Sequence, residues 1–384
     1  MTTYIIGDLL TGRRIQTVPV LSGPWDDALN ETGSVSITVT LRDPDVAKLG
    51  LFESALPGKA FLAAIDGDTV LQAGPIWAHD YDGDNQELTI HAAGMWSYFD
   101  HRMLLPVLAG RLPSDPTTDT NFRPVSVDPE DPWPADTTSS LQGIARALVA
   151  QAQTETNGNV PVVLPATIPG TNERRYRGAD LAPVGQRLKE LTEVENGPDI
   201  QFLPRWTTDK LGIEWVMRIG TPTQPLLFSL VEPVFTVGVP ESSVSSFSVS
   251  VNGAEVGSRA FVGGGRSTDT TLTTVSVDPT LLVAGFPVLD LKDTTHSTVQ
   301  LESTLQQYGN ENVMRARKPV QTWAFTHNLA TSPYLSGFNV GDFAKVRMMG
   351  DPYIKDGEYR MRILSRAGDA EGEKVALQFQ PVVS

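Results

Sequence analysis

From Gly33 to Leu41 the chain reads Gly-Ser-Val-Ser-Ile-Thr-Val-Thr-Leu, which places Val35, Ile37, Val39 and Leu41 on one face and Ser34, Ser36, Thr38 and Thr40 on the other. That period of two residues marks a half-buried strand, because a helix would scatter the same side chains around its circumference. After Pro57-Gly58 come Lys59–Ile65, the tight turn Asp66-Gly67-Asp68 and the run Thr69–Ala78, which predict strand, turn and strand. A second turn at Tyr81–Asn85 leads into Gln86–Ala92, where Leu88, Ile90 and Ala92 alternate with polar residues. Hairpins in this succession predict a closed or nearly closed antiparallel barrel over Asn30–Arg102. Short strands around Leu10-Thr-Gly-Arg13 complete it, and Met95–Leu105 carries aromatic and apolar side chains to close its core.

The pattern then changes. Leu112–Ser140 contains Pro113, Pro116, Pro124, Pro129, Pro132 and Pro134 and can neither propagate a helix nor sit in a central strand, so it reads as an extended loop bounding an inserted domain. Within the insert, Leu141, Ile144, Ala145, Leu148, Val149 and Ala152 recur at helical spacing after a cap at Ser139 or Ser140. A second helix opens at Asp180, with Pro183 in its first turn, and buries Val184, Leu188 and Leu191. It stops at Asn196-Gly197-Pro198, where Gly197 can take the left-handed cap. Strands are expected at Asp199–Leu203, Ile213–Ile219, Leu226–Leu230 and Ser243–Asn252, and a flexible glycine-rich turn, Val262–Ser267, separates the last of these from Leu272–Val277. A third helix over about Thr298–Arg317, anchored by Val299, Leu305, Tyr308 and Val313, ends before Pro319. Gly341–Met348, Asp356–Ile363 and Glu373–Phe379 alternate once more, with Tyr359, Met361 and Ile363 opposite Arg360 and Arg362. This closing part repeats the plan of the opening one, so two barrels separated by a mixed insert is the simplest architecture.

Composition narrows the function. A chain of 384 residues suits two to four domains. No apolar run approaches the ~20 residues of a membrane span, and the N-terminus lacks the basic and apolar regions of a secretory signal, so synthesis in a cytoplasm and no membrane insertion are expected. The absence of cysteine excludes disulfides, thiolate zinc sites and cysteine nucleophiles. A formal charge of -15 repels phosphate backbones and argues against sequence-specific nucleic-acid binding.

Candidate chemistry is sparse. His79, His91 and His101 fall in the first barrel without metal-ligand spacing, and packed or solvated strand histidines is the reading their spacing favours. Asp80, Asp82 and Asp84 alternate like calcium ligands, but Asn85 stands where the loop needs glycine and His91 where it needs glutamate, so a hairpin turning at Asp82-Gly83 is favoured. Gly263–Arg266 lacks the Lys-Ser/Thr pair of a phosphate-binding loop. Carboxylate pairs such as Asp66 with Asp68, or Glu195 with Asp199, could serve glycoside hydrolysis, yet acidic turns supply such pairs by chance. Arg174, Arg175, Arg177, Arg187 and Lys189 form a basic cluster, expected to pair with Glu190, Glu193 and Glu195 on a solvated helix face, with contact to a neighbouring subunit as the second reading. No catalytic residue, cofactor or metal site is assigned.

Several motifs in order resemble a known family: Gly33–Val39 through Gln72-Ala-Gly-Pro-Ile76 to Leu88-Thr-Ile90, the helix Leu181–Val194 with its Asn-Gly-Pro-Asp-Ile-Gln-Phe sequel, and Ala260-Phe-Val-Gly-Gly-Gly265. Asp293-Thr-Thr-His-Ser-Thr298, Phe338-Asn-Val-Gly-Asp-Phe343 and Asp356–Ile363 continue the series over nearly the whole chain. The chain resembles the minor tail proteins that form the baseplate hub of long-tailed, siphovirus-type phages of actinobacteria. The resemblance implies a mainly β fold: a first tube-like barrel over 1–105 completed by 207–240, an α+β insert over 106–206, a second barrel over 241–280 with 319–384, and a helical insert over 281–318. It also implies a non-enzymatic homotrimer in the virion tail tip, assembled in the host cytoplasm. Its partners would be the distal tail ring, the tape-measure protein and other minor tail proteins, with phage DNA passing through its channel unbound. A carbohydrate-binding tail-tip module and a cell-wall glycoside hydrolase are the alternatives. The first would need a row of exposed aromatics, for which Trp77, Trp96, Trp206, Trp215 and Trp323 are the candidates.

Overall fold

A computed structural model describes residues 1–104, 132–133, 140–154, 157–172, 174, 176–177, 181–240, 242–267, 270–296, 299 and 301–382. The chain opens with β1 (Thr3–Asp8), β2 (Arg14–Val18), β3 (Trp25–Ala28) and β4 (Ser34–Thr40), the short helices α1 (Pro44–Ala47) and α2 (Leu51–Ser54), and β5 (Ala60–Asp66), β6 (Thr69–Asp82) and β7 (Glu87–Ala93). Val35, Ile37 and Val39 are wholly buried while the intervening β4 residues are half-exposed, as the alternation requires. The antiparallel order is β4-β7-β6-β5, continued by β1 and β2. The expected turn at Asp82-Gly83 moves on by a residue or more. Asp82 still pairs with Glu87, and the reversal lies in Gly83–Gln86, where Gln86 takes a positive φ of 52°.

The middle of the chain holds α3 (Trp96–Asp100), β8 (Pro132–Trp133), α4 (Leu141–Ala152), β9 (Val162–Val163), β10 (Tyr176–Arg177), α5 (Val184–Thr192), β11 (Ile200–Trp206) and β12 (Ile213–Ile219). Most of the proline-rich 112–140 stretch lies outside the described residues. Ser140 is the cap of α4, its Oγ accepting the Gly143 amide at 3.0 Å. The helix α5 begins after Pro183, later than expected, and Asp180 lies outside the described residues. The left-handed residue beyond α5 is Asn196 (φ 57°), not Gly197. Gly197 is needed for closeness instead, since a Cβ there would sit 2.4 Å from Leu191 O.

The segment 207–240 was expected to complete the first barrel, but its strands pair elsewhere. The strand β12 joins β11 and β9 in a separate three-stranded sheet. Its Ile213, Trp215 and Met217 pack with Ile5, Phe61 and Ala63, which β1 and β5 turn away from the main core. Trp215 fixes the contact, donating from Nε1 to Ala73 O at 2.9 Å and setting its ring edge-on to Phe61. Leu226–Leu230 forms no strand: the Leu227 amide donates to Asp199 Oδ2, and Leu230 is 95% exposed.

The remainder comprises β13 (Val234–Val237), β14 (Val244–Asn252), β15 (Arg259–Ser267), β16 (Thr270–Val277), α6 (Thr280–Val283), β17 (Asp290–Asp293), α7 (Glu302–Arg315), β18 (Val320–Asn328), β19 (Phe343–Met348), β20 (Gly357–Gly368) and β21 (Lys374–Pro381). The strands β15, β16 and β17 form their own sheet, placing 259–277 apart from the strands with which it was grouped. Gly263–Gly265 lies inside β15 rather than in a flexible turn. The reason is α7, because a Cβ on Gly264 would stand 2.4 Å from Leu305 Cδ1 and 2.8 Å from Val299 O.

Two modules of identical strand order result. β18-β21-β20-β19 repeats β4-β7-β6-β5, all antiparallel. Even the irregularity repeats: β6 slips register between Ile76 and Ala78, β20 between Ile363 and Ser365, and the residues facing Ile76 and Ile363 are Ala92 and Phe379. The modules are fused through β3, which pairs with β4 on one edge and with Ser365–Gly368 of β20 on the other, so both belong to one 13-stranded sheet. One apolar core runs across the join, from Ile37 and Ile90 to Phe235, Phe325 and Phe379.

Candidate functional site

Charged side chains are buried together at the join between the modules. Asp27 of β3 is 6% exposed. Its Oδ2 accepts from Gln201 Nε2 at 2.9 Å and from Arg366 Nη2 at 3.3 Å. Arg366, completely buried, also donates to Phe338 O and Leu71 O, so one guanidinium ties β3, β6, β20 and the segment before β19. Burial pushes the Asp27 carboxyl above the ordinary aspartate range, against the pull of Arg366 and Gln201, and pushes Arg366 down.

The network extends to the sheet of β9, β11 and β12. Arg218 bridges Gln201 Oε1 (2.8 Å) and Asp342 Oδ1 (3.1 Å). Asp199 accepts from Arg362, from the Leu227 amide at 2.7 Å and from Asn30 Nδ2 at 3.3 Å. Burial lowers Arg362 to about 10. Asn30 Oδ1 in turn takes the Ile200 amide at 2.8 Å. These carboxylates are engaged by protein donors, which suits a rigid joint better than proton transfer to a substrate. Beside it opens a groove of about 1040 Å³, whose lining mixes Glu31, Glu193 and Glu311 with Lys189, Arg315 and Arg362.

Sequence reasoning missed this cluster because the bulge at Leu364 hides it. Met361 and Ile363 face the core, so simple alternation would turn Arg366 outward; the slip instead sets Arg366 opposite Leu377, on the core side. The singled-out residues are dispersed. His91 lies between Asp80 Oδ2 (2.9 Å) and Ser36 Oγ (3.1 Å), and the His101 ring lies tilted against that of Trp77. His296 stacks on Tyr308 with Nε2 3.0 Å from Asp293, and His327 is sealed in the second module. No group of three or more metal-ligating side chains occurs among the described residues.

Asp82 accepts from the amides of Asp84 and Asn85 and from Asn85 Nδ2, and these turn bonds hold its carboxyl below the usual range. Asp68 pairs with Lys210, Glu195 accepts from Asn310, and Asp199 belongs to the joint, so neither proposed carboxylate pair shares a task. In the basic cluster Arg187 pairs with Glu190 at 2.8 Å, but the arginine is buried rather than solvated and lies over the Tyr176 ring. Lys189 reaches Glu31, and Arg174 donates to Gln307. Arg175 and the Arg177 side chain lie outside the described residues. The tryptophans singled out for sugar binding form no exposed row: Trp96, Trp215 and Trp323 are buried, while Trp77 and Trp206 are half-buried. No helix among the described residues is long and apolar enough to cross a membrane.

No protein-family model and no curated protein matches the sequence. The fold does have counterparts. The tail protein from Neisseria meningitidis MC58 superposes with a TM-score of 0.56 at 12% identity, covering 99% of this chain and 95% of that one. The 43 kDa tail protein of prophage MuSo2 from Shewanella oneidensis gives 0.56 at 12% identity, over 98% of each chain. This is a fold that phage tail proteins use. The likeness runs the length of both partners, so it takes in the two modules and the segment between them.

Proposed function

We propose that the chain is a structural, non-enzymatic subunit of a phage tail: a homotrimeric hub of the tail tip that joins the tail tube to the host-contacting parts and lines or closes the DNA channel. The observation that carries this reading is the repeated module. One chain holds two copies of a four-stranded unit with the same order and the same bulge, locked edge to edge in a single sheet. Three such chains supply six quasi-equivalent units, the number that continues a sixfold tube. The end-to-end likeness to two tail proteins supports the same reading. On this reading the modules are the tube-building barrels, and the distal tail ring, tape-measure protein and other minor tail proteins are the neighbours.

The charge of -15 suits a channel wall past which DNA slides without sticking. Nothing among the described residues favours the alternatives: Trp96, Trp215 and Trp323 are packed rather than displayed, and the acidic pairs are engaged separately. Multi-angle light scattering across a concentration series tests the proposal. Three times the chain mass of 41.6 kDa is expected, and a monomer at every concentration would overturn it. A zymogram on host cell wall is expected to show no clearing.

A further inference from the structure

The internal repeat sets two open strand edges beside paired counterparts in the same chain. In β20, Ser365–Ala367 follow the bulge and are paired on both sides, with β21 and with β3, and Gly368 pairs with β3. Their counterparts in β6, Ala78–Tyr81, pair with β7 alone, since β5 covers β6 only as far as Pro75. No strand among the described residues lies on the other edge. The counterpart of β3 is β14, which lies on β18 as β3 lies on β4 and ends the sheet, with no strand among the described residues on its outer edge. Trp25 faces Val35 and Val249 faces Trp323, and Val35 and Trp323 face Ala92 and Phe379. Trp25-Asp26-Asp27-Ala28 therefore corresponds to Val249-Ser250-Val251-Asn252.

We propose that the two open edges pair between neighbouring copies of this chain. β14 of one copy runs antiparallel along Ala78–Tyr81 of the next, in the register of the internal joint: Ala78 with Asn252, His79 with Val251, Asp80 with Ser250, Tyr81 with Val249. Within a chain six strands separate β14 from β6 in the sheet order, so the partner is a second copy. The backbone parity agrees. Thr38 N donates to Ser22 O and Ser36 N to Pro24 O, so alternate residues turn to β4, and Trp25 and Asp27 turn to β20. In β14 the Asn328 amide bonds Ser243 O, so alternate residues of β18 from Asn328 turn to β14; past the bulge Ser248 and Ser250 face Ala324 and Thr322 of that set, which leaves Val249 and Val251 outward.

Side chains agree as well. Tyr81 is 60% and Val251 52% exposed, both beside the open edges. His79 occupies the place of Arg366, and its Nε2 is buried without a hydrogen-bond partner. β14 carries neither lysine nor proline, and its one bulge lies between Ser245 and Ser248, away from the four residues concerned. Nothing there blunts the edge against pairing. The contact is head to tail, and in the trimeric hub it closes a ring in which joints within and between chains alternate. This deepens the hub reading and rests on it.

The absence of cysteine makes the register testable by cross-linking. Asp80 and Ser250 would form a non-hydrogen-bonded pair with Cα atoms about 4.5 Å apart, within disulfide reach. Under mild oxidation, full-length protein carrying both Asp80→Cys and Ser250→Cys is expected to give covalent oligomers up to the trimer on non-reducing gels. An equal mixture of the two single variants is expected to give heterodimer, and Asp82→Cys with Ser250→Cys, out of register, only monomer. Val251→Pro removes an outward amide and is expected to reduce association at least tenfold with an unchanged melting temperature. A trimer by light scattering in which D80C/S250C does not cross-link, or cross-links no better than the out-of-register pair, overturns the edge pairing and leaves the hub standing. A monomer at every concentration without cross-links overturns both.

Discussion

Arg366 Nη2 stands 3.3 Å from Asp27 Oδ2 across the seam where the first module's β3 meets the second module's β20, and both side chains are buried. The two residues also face each other in the strand register, so charge and backbone pairing specify one alignment together. Removing one partner strands the other without water. Arg366→Met or Asp27→Leu alone is expected to cost about 3–5 kcal/mol in urea unfolding, and the double variant about 1 kcal/mol or less. A double-mutant cycle with additive losses would show that the pair does not couple the modules.

The helix α7 lies so close to β15 that Gly264 has no room for a methyl group. Gly264→Ala places a carbon 2.4 Å from Leu305 Cδ1 and 2.8 Å from Val299 O. A loss of about 1–3 kcal/mol is expected from such overpacking. Shortening Leu305 to Ala in the same protein is expected to recover only part, because the carbonyl contact persists. Thermal melts of the two variants measure this, and a neutral Gly264→Ala would restore the flexible-turn reading.

His327 is wholly buried beside Phe235 with Nε2 2.9 Å from Pro333 O, to which the neutral ring donates. Burial lowers its pKa below the usual 6.5. A folded pKa below the unfolded one means that the unfolded chain binds the extra proton first. The neutral histidine's contribution is therefore complete above 6.5 and is lost as pH falls from 6.5 through the lowered folded value. The slope from one such group cannot exceed about 1.4 kcal/mol per pH unit. His327→Gln is expected to flatten stability between pH 7.5 and pH 5, and an unchanged slope in urea titrations would assign the effect to other groups.

Alternation made much of the sheet legible. Val35, Ile37 and Val39 in one module and Met361, Ile363, Val375, Leu377 and Phe379 in the other announce both their strands and their buried faces. The helix capped by Ser140 was legible for the same local reason. What stayed hidden depends on partners distant in sequence. Nothing local in Trp25–Ala28 names Ser365–Gly368 as its partner, and a one-residue slip at Leu364 reverses the face on which Arg366 lies. Ile213–Ile219 alternates like any strand, so its pattern could not say that Trp215 would pack on the outer face of β5 rather than extend its edge. Gly263–Gly265 suggested looseness where the requirement is the close approach of a helix.

In the proposed hub, one chain supplies two equivalent units of a ring. Negative-stain electron microscopy of the purified full-length protein, with class averages viewed down the axis, tests this most directly. A ring of three subunits showing six similar density lobes around a central hole is predicted. Single compact particles, or rings whose lobes differ in number from twice the subunit count, would contradict it.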